Sequence, residues 1–210
     1  MKRMLWNHRG LTTVELLGAA LCAMVMLAAL YGFYRDQLLH LLLQETRTAT
    51  LEDARGALDI MMRELRNAGY WGKGPAPTGC KKIVTATPAL IRIQADLNEN
   101  GNCSSAVVGN DVTYDLSNAT STCPGSIMRR NGSCLVANVK ISPGKPLFTY
   151  FDISGTQLAG SPPPAAIKRI RIAFSVEVLD PTPQGKRSGK TIRSTLSSSV
   201  EIRNSSGAPS

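Results

Sequence analysis

The chain begins with a short polar and basic segment, and a long apolar run follows it. The run extends from Leu11 to Tyr34, and Glu15 is its only charged residue. A helix rises about 1.5 Å per residue, so a helix of this length is long enough to cross a bilayer. Cations before such a span keep that end of the chain cytoplasmic, so we expect residues 35–210 to be exported.

A helical pattern continues beyond the apolar run. No proline occurs between Leu11 and Gly74, so one helix over residues 11–68 is possible. Apolar residues recur at a spacing that marks one helical face. They are Leu51, Ala54, Leu58, Met61, Met62, Leu65 and Ala68. Gly69 is a natural helix terminator, so we expect an amphipathic second half that ends there.

From Lys81 onward the apolar residues alternate with polar ones, which predicts strands. The clearest pair comes last, and a turn-rich loop over residues 180–189 separates its two strands. The residues that we expect on the buried face are Ile170, Ile172, Phe174, Val176, Val178, Ile192, Leu196, Val200 and Ile202. This pattern predicts an antiparallel hairpin with one buried face. A sheet packed on the second half of a long helix gives an α+β fold.

Composition and charge change this picture little. The 210 residues are 43% hydrophobic and carry a formal net charge of +9, which suits one membrane segment plus one modest folded domain. A basic surface fits phosphates, lipid headgroups or acidic proteins without choosing among them. Aromatic side chains that could stack on bases are scarce on the final hairpin, where Phe174 is expected to point inward. We therefore interpret its cations as a solvated face and expect no nucleic-acid binding.

We expect no enzymatic activity. The only histidines are His8, before the apolar run, and His40, beside it. No serine or cysteine triad can be assembled in the folded domain without a histidine. The glycine-rich segment after Gln184 is not a phosphate loop, because Gly185 and Gly189 enclose three residues where that motif needs four.

Four cysteines lie in the presumed exported domain, and a fifth, Cys22, lies in the apolar run. An even number in an oxidising compartment indicates two disulfides, and four cysteines allow three pairings. We favour Cys80–Cys103 and Cys123–Cys134, because neighbouring cysteines close the shortest loops. Zinc fits poorly, since no C-x-x-C pair is present.

A polar segment before Cys103 resembles the opening of a calcium loop. Asp96, Asn98, Asn100 and Gly101 match the pattern D-x-[DN]-x-[DN]-G. The twelfth position is Val107, which cannot supply the carboxylate that such a loop needs. A polar turn is the main interpretation, and a weak calcium site is the alternative; we expect no other cofactor.

Three interpretations compete for the N-terminus. A secretory signal has a shorter apolar core and a small-residue cleavage site after it, and neither is present here. A plain membrane anchor leaves Glu15 unpaired, at a cost of about 2.5–3.5 kcal/mol or more at mid-bilayer. The third places cleavage after Gly10, before the apolar run, and makes Leu11 the new N-terminus. Glu15 then becomes the fifth residue of the mature chain.

Gly10, the apolar run and Glu15 together resemble the leader of type IV prepilins and pseudopilins. The resemblance implies that prepilin peptidase cleaves after Gly10 and methylates the amine of Leu11. It also implies that Glu15 pairs with that amine of a neighbouring subunit and sets the assembly register. An acid and an amine attract strongly in a low dielectric, and each removes the desolvation penalty of the other. Leucine here departs from the usual phenylalanine at the first mature position.

Further segments resemble PilW-type minor pilins. They are "ARGALDIMMRELRNAGYWG", "NDVTYDLSN", "GSIMRR", "VANVKISPGKPLFTYFDISG" and "VEIRN", which occur in this order between Ala54 and Asn204. The resemblance implies a pilin-like fold, with a long helix packed on an antiparallel β-sheet domain. We therefore expect a removed leader over residues 1–10, a transmembrane half-helix over 11–34, a periplasmic half-helix over 35–69 and a β-rich periplasmic domain over 70–210.

The resemblance implies a role in assembly. We expect a minor pilin that helps to initiate type IV pilus assembly, in a tip or priming complex. Its partners would be prepilin peptidase, other minor pilins, the major pilin and the inner-membrane assembly platform. The protein would lie in the bacterial inner membrane and then at the pilus tip or cell surface. The nearest alternative is a J-type pseudopilin of type II secretion, and a pilus-borne adhesin or DNA receptor is more distant.

Overall fold

The computed structural model of the chain describes residues 12–72, 74–104, 109–117, 123, 125–141, 144–180 and 182–202. The chain divides into two compact units, Met1–Glu45 and Thr46–Ser210. The boundary between the units falls at residues 45/46, whereas the sequence predicts that the transmembrane segment ends at residues 34/35. The four sequence-based segment boundaries stay predictions.

The first element is a single long helix, α1, which covers Thr13–Asn67. Its apolar part near the N-terminus makes it long and apolar enough to cross a membrane. The helix ends just before Gly69, which adopts a φ of 76° that favours glycine. The Gly69 N–H donates to the carbonyl of Gln94 at 2.8 Å and so attaches the helix end to the following sheet.

The strands form two antiparallel sheets where the sequence analysis expects one. The first sheet has the order β1-β2-β3-β4-β5. Its strands are β1 Ile83–Ala86, β2 Leu90–Gln94, β3 Asp111–Ser117, β4 Ile127–Arg130 and β5 Ser133–Val136. Each of these strands pairs with the next along the chain, so the first sheet is a meander of hairpins.

The second sheet contains the final hairpin. Its order is β10-β9-β7-β8, and β6 also pairs with β9. Its strands are β6 Val139–Lys140, β7 Phe148–Phe151, β8 Gln157–Leu158, β9 Arg169–Leu179 and β10 Thr191–Glu201. The hairpin of β9 and β10 lies where the alternation of apolar residues predicts it, with Leu196 opposite Phe174 and Val200 opposite Ile170. A 3-10 helix over Pro164–Ala166 precedes it.

One apolar core joins the C-terminal part of α1 to both sheets. The helical residues in it are buried at the spacing of one helix face: Ala54, Ala57, Leu58, Met61 and Leu65. Ala68, which follows directly after the helix, belongs to the same core. From the strands, Ile91 and Met128 of the first sheet and Ile172 and Phe174 of the second join the same cluster. Burial of this face, at about 25 cal/mol per Å² of apolar surface, stabilises the packing of the helix on the sheets. The α+β class is therefore correct.

The connection between β9 and β10 differs from the loop that the sequence predicts. It contains a short helix, α2, over Pro183–Ser188, which the Thr182 hydroxyl caps by accepting the Gly185 N–H at 3.0 Å. A Cβ at Gly185 would lie 2.3 Å from Asp180, so only glycine fits this turn. Proline at the first helical position and glycine after the last are the signals that indicate such a helix.

Candidate assembly site

The Glu15 carboxylate lies at the beginning of α1 and closes a capping box with Thr12. The Thr12 N–H donates to Glu15 Oε2 at 3.0 Å, and the Thr12 hydroxyl donates to the same oxygen at 3.1 Å. In return, the Glu15 N–H donates to the Thr12 hydroxyl oxygen at 3.3 Å. Such a reciprocal pair satisfies two of the N–H groups that a helix leaves free at its N-terminus.

Thr12 is a residue that the sequence analysis missed. The signal was present, because T-x-x-E before an apolar run is the sequence signature of a capping box. The carboxylate of Glu15 therefore has a local role in its own chain, in addition to the role in assembly that the prepilin resemblance implies. The positive end of the helix dipole also favours an acid in the first turn.

The predicted processing site lies outside the described residues. Gly10 and Leu11 both precede Thr12, where the description of the chain begins. Cleavage after Gly10 and methylation of Leu11 stay predictions, as does the role of Glu15 in assembly register.

The apolar side chains of the first unit are exposed along α1. Val14 is 76% exposed, Leu21 64% and Leu30 63%. Exposed apolar side chains over this length are stable in lipid or against other apolar helices, and a contiguous apolar surface marks a membrane or protein contact. By length and composition, this part of α1 could therefore span a membrane.

A polar cluster attaches the C-terminal part of α1 to the first sheet. The phenol of Tyr114 on β3 donates to the carboxylate of Glu64 on α1, and Arg130 on β4 donates to the same carboxylate, with Nη2 2.7 Å from Oε1. Tyr114 is fully buried, and this burial raises the pKa of its phenol. The hydrogen bond to Glu64 raises the pKa of Arg130, so both donors keep their protons at any ordinary pH.

The four cysteines of the second unit form two pairs. The Cα atoms of Cys80 and Cys103 are 5.9 Å apart, and those of Cys123 and Cys134 are 6.3 Å apart. Both distances suit a disulfide. These are the two pairings that the sequence analysis favours. Cys22, on the apolar part of α1, is free and exposed.

The predicted calcium loop uses its oxygens within the loop. Asp96 accepts the backbone N–H of Gly101 at 2.7 Å and that of Asn100 at 3.2 Å. The side-chain oxygen of Asn100 accepts the N–H of Asn102 at 2.9 Å, and that of Asn98 lies 3.4 Å from the amide nitrogen of Asn110. These bonds stabilise a polar turn. Calcium binding by Asp96, Asn98 and Asn100 stays a prediction.

Three arginines of the final hairpin have partners in their own chain. The guanidinium carbons of Arg169 and Arg171 lie 4.9 and 5.1 Å from the centre of the Phe151 ring. Arg193 Nε donates to Glu177 Oε1 at 2.6 Å. Cation–π contacts and a cross-strand ion pair each add a modest stabilisation. This pattern favours a solvated face, and the expectation that nucleic acid does not bind here stays a prediction.

Comparison with known proteins found no match. No family model, curated protein or solved structure matches this chain. What is established is a helix that could span a membrane, antiparallel sheets in an α+β arrangement and two cysteine pairs at disulfide distance.

Proposed function

We propose that this protein is a PilW-like minor pilin with a pilin-like fold. It would be cleaved after Gly10 by prepilin peptidase and would help to initiate a type IV pilus with other minor pilins. Its activity is assembly, through the exposed apolar part of α1 and the second unit. A minor pseudopilin of a type II secretion system would use the same parts, and the resemblance of the later segments to PilW-type pilins favours the pilus.

The observation that carries this proposal is the placement of Glu15. The carboxylate accepts two hydrogen bonds from Thr12, only one residue beyond Leu11. Cleavage after Gly10 would create a charged amine at Leu11, close along the chain to this acid. Two copies side by side would then present an amine and a carboxylate at the same level of their helices. This arrangement gives a reason for an acid in an otherwise apolar run.

The capping box with Thr12 supports the proposal because it uses one oxygen of the Glu15 carboxylate. Both bonds from Thr12 reach Oε2, so the other oxygen, Oε1, receives neither of them. A carboxylate has about four acceptor sites, so it can cap its own helix and accept an amine from a neighbour together. A glutamine would cap the helix equally well, since capping boxes use either residue. Within its own chain the charge therefore adds only its interaction with the helix dipole, so a larger need for it indicates a partner.

The processing step tests this proposal. In cells that make a type IV pilus, N-terminal sequencing of the membrane protein should begin at Leu11 and proceed through Thr12. The variant Gly10→Val should leave the precursor uncleaved, because the peptidase needs a small residue there. The variant Asn7→Val, in the same leader, is the matched control and should be cleaved normally. Normal mature protein from Gly10→Val would refute the proposal.

A further inference from the structure

The edge strand β10 has one partner strand among the residues that the structure describes. It pairs with β9 over its whole length, from Thr191 to Glu201, without a register shift. The sheet order leaves its other side at the end of the sheet. The strand contains no proline. Proteins commonly protect such an edge with a bulge, a proline or a very short strand, and β10 has none of these.

The backbone groups that face this open side can be identified. Ile202 donates its N–H to Lys168 at 3.0 Å, and the carbonyl of Lys190 accepts the N–H of Asp180 at 2.8 Å, so both residues point toward the β9 side. Successive residues of a strand point their N–H and C=O groups to opposite sides. The alternate residues therefore point these groups outward. They are Thr191, Arg193, Thr195, Ser197, Ser199 and Glu201.

The side chains of these six residues share the outer, exposed face of β10. Only two of them are charged: Arg193 near one end and Glu201 at the other. Arg193 is opposite Glu177 and Glu201 is opposite Arg169 in the β9 register. The four others are serine or threonine, whose small polar side chains leave room for an adjacent strand. An incoming strand is thus complementary if it places an acid beside Arg193 and a base beside Glu201.

The inner face of β10 adds an apolar requirement. Val200 is buried, and Ile192 and Leu196 are half-buried. Apolar residues of an added strand would lie beside them and complete their burial at the edge of the core. Residues on the two faces alternate, so the added strand would alternate apolar with polar residues.

We propose that β10 binds an antiparallel strand of another protein subunit by extending the second sheet. Backbone hydrogen bonds from the six outward residues hold the strand. Its outer face carries a basic residue opposite Glu201 and, eight residues later, an acidic residue opposite Arg193. This site is separate from Glu15 and does not rest on the proposed function, because strand addition needs neither cleavage nor a filament.

The strand β9 itself supplies the probe. A synthetic peptide with the sequence of residues 169–179, RIRIAFSVEVL, has the required base, acid and apolar alternation. Lysines added at both ends keep it soluble. The control peptide carries Arg169→Glu and Glu177→Arg, which puts like charges beside Glu201 and Arg193. Hydrogen exchange of individual amides is then measured on the full-length protein in detergent micelles, with each peptide at millimolar concentration.

The exchange pattern distinguishes strand addition from other binding. Without peptide, amides of the six outward residues should exchange faster than those of their neighbours, such as Leu196 and Val200. The first peptide should slow the outward amides by about tenfold or more, and the control peptide should bind about tenfold more weakly. Unchanged outward amides, protection elsewhere only, or equal effects of both peptides would overturn the proposal.

A pair of variants tests the role of the backbone. Ser197→Pro removes one outward N–H, whereas Ser197→Thr keeps it and adds a methyl group. The threonine variant should bind the peptide as the wild type does, and the proline variant should lose protection of the outward amides. Protected amides at Leu196 and Val200 would show that the proline variant is folded. If it is folded and still binds normally, strand addition at β10 is wrong; if it does not fold, the comparison of the two peptides decides.

Discussion

Arg130 on β4 donates to Glu64 on α1 through both Nε and Nη2, with Nη2 2.7 Å from Oε1. Tyr114 donates to the same carboxylate. The three residues join the C-terminal part of the helix to two strands of the first sheet. Loss of one member leaves the others with polar groups that are partly buried and unsatisfied, which is costly.

The first prediction concerns this cluster. The variant Arg130→Met should lower the free energy of unfolding of the second unit by about 1–3 kcal/mol, because it leaves the Glu64 carboxylate without its cation. Urea unfolding of the full-length protein in detergent, followed by near-UV circular dichroism, measures the change. Arg55→Met, at an exposed position of α1, is the control and should change stability by less than about 0.5 kcal/mol. Equal effects of the two variants would show that the cluster is not stabilising.

The second prediction concerns acid. The Arg92 guanidinium beside Asp111 holds the pKa of that carboxyl below its ordinary value of 3.8. The unfolded state therefore binds the proton more readily. The pair stabilises the fold above pH 3.8 and loses this stabilisation as the pH falls through the lower, folded-state pKa.

Asp111→Asn should therefore destabilise the protein near neutral pH, and its difference from the wild type should shrink below about pH 4. Arg92→Met removes the largest cause of the lowered Asp111 pKa and should lose most of the same pH-dependent part. Urea midpoints at several pH values between about 2 and 7 measure both differences. A difference for Asp111→Asn that stays constant over this range would contradict the linkage.

The third prediction concerns the cysteines. The two pairs leave Cys22 as the free thiol. Full-length protein purified from the membrane fraction should show one free thiol per chain when denatured without reduction, and five after reduction, since the chain has five cysteines. Five free thiols before reduction would contradict both disulfides, and three would leave one standing.

A fourth prediction follows for the longer disulfide loop. The paired variant Cys80→Ser with Cys103→Ser opens a loop with a sequence separation of 23. It should cost about 3 kcal/mol of unfolding free energy through the greater freedom of the unfolded chain. Cys22→Ser is the matched control and should leave the urea midpoint unchanged. A paired variant as stable as Cys22→Ser would mean that the bond contributes nothing to stability.

The spacing of apolar residues along the chain predicted the buried helix face and the final hairpin. The buried helix face through Leu58 and Met61 and the final hairpin through Phe174 and Val200 follow from spacing alone. The division of the strands into two sheets did not follow, because alternation marks a strand without naming its neighbour. Tyr114 and Glu64 are 50 residues apart, and nothing in the sequence near either residue indicates the other.

Two features had local signals that were missed or were overridden. The capping box of Thr12 and Glu15 follows from T-x-x-E, but an acid in an apolar run also indicates an unpaired charge, and that interpretation does not include the hydrogen bonds to Thr12. The short helix α2 follows from Thr182 as N-cap and Pro183 at the first helical position. Its proline, glycine and basic residues otherwise favour a turn-rich loop.

The central claim is that the charge of Glu15 pairs with a neighbouring subunit, beyond its capping of α1. Three variants separate the two roles. Glu15→Gln keeps the cap and removes the charge, Thr12→Val removes the capping hydroxyl and keeps the charge, and Glu15→Ala removes both. Removal of the charge also lowers the cost of placing the helix in lipid, so membrane insertion should not fall.

The decisive measurement is the ratio of variant to wild-type protein in sheared filaments, at equal membrane abundance and equal processing. Glu15→Gln and Glu15→Ala should both enter filaments at least about fivefold less than the wild type, which corresponds to about 1 kcal/mol or more of assembly free energy. Thr12→Val should enter at a ratio near that of the wild type. A ratio near one for Glu15→Gln, with a large loss for Thr12→Val, would contradict the account and leave Glu15 as a helix cap.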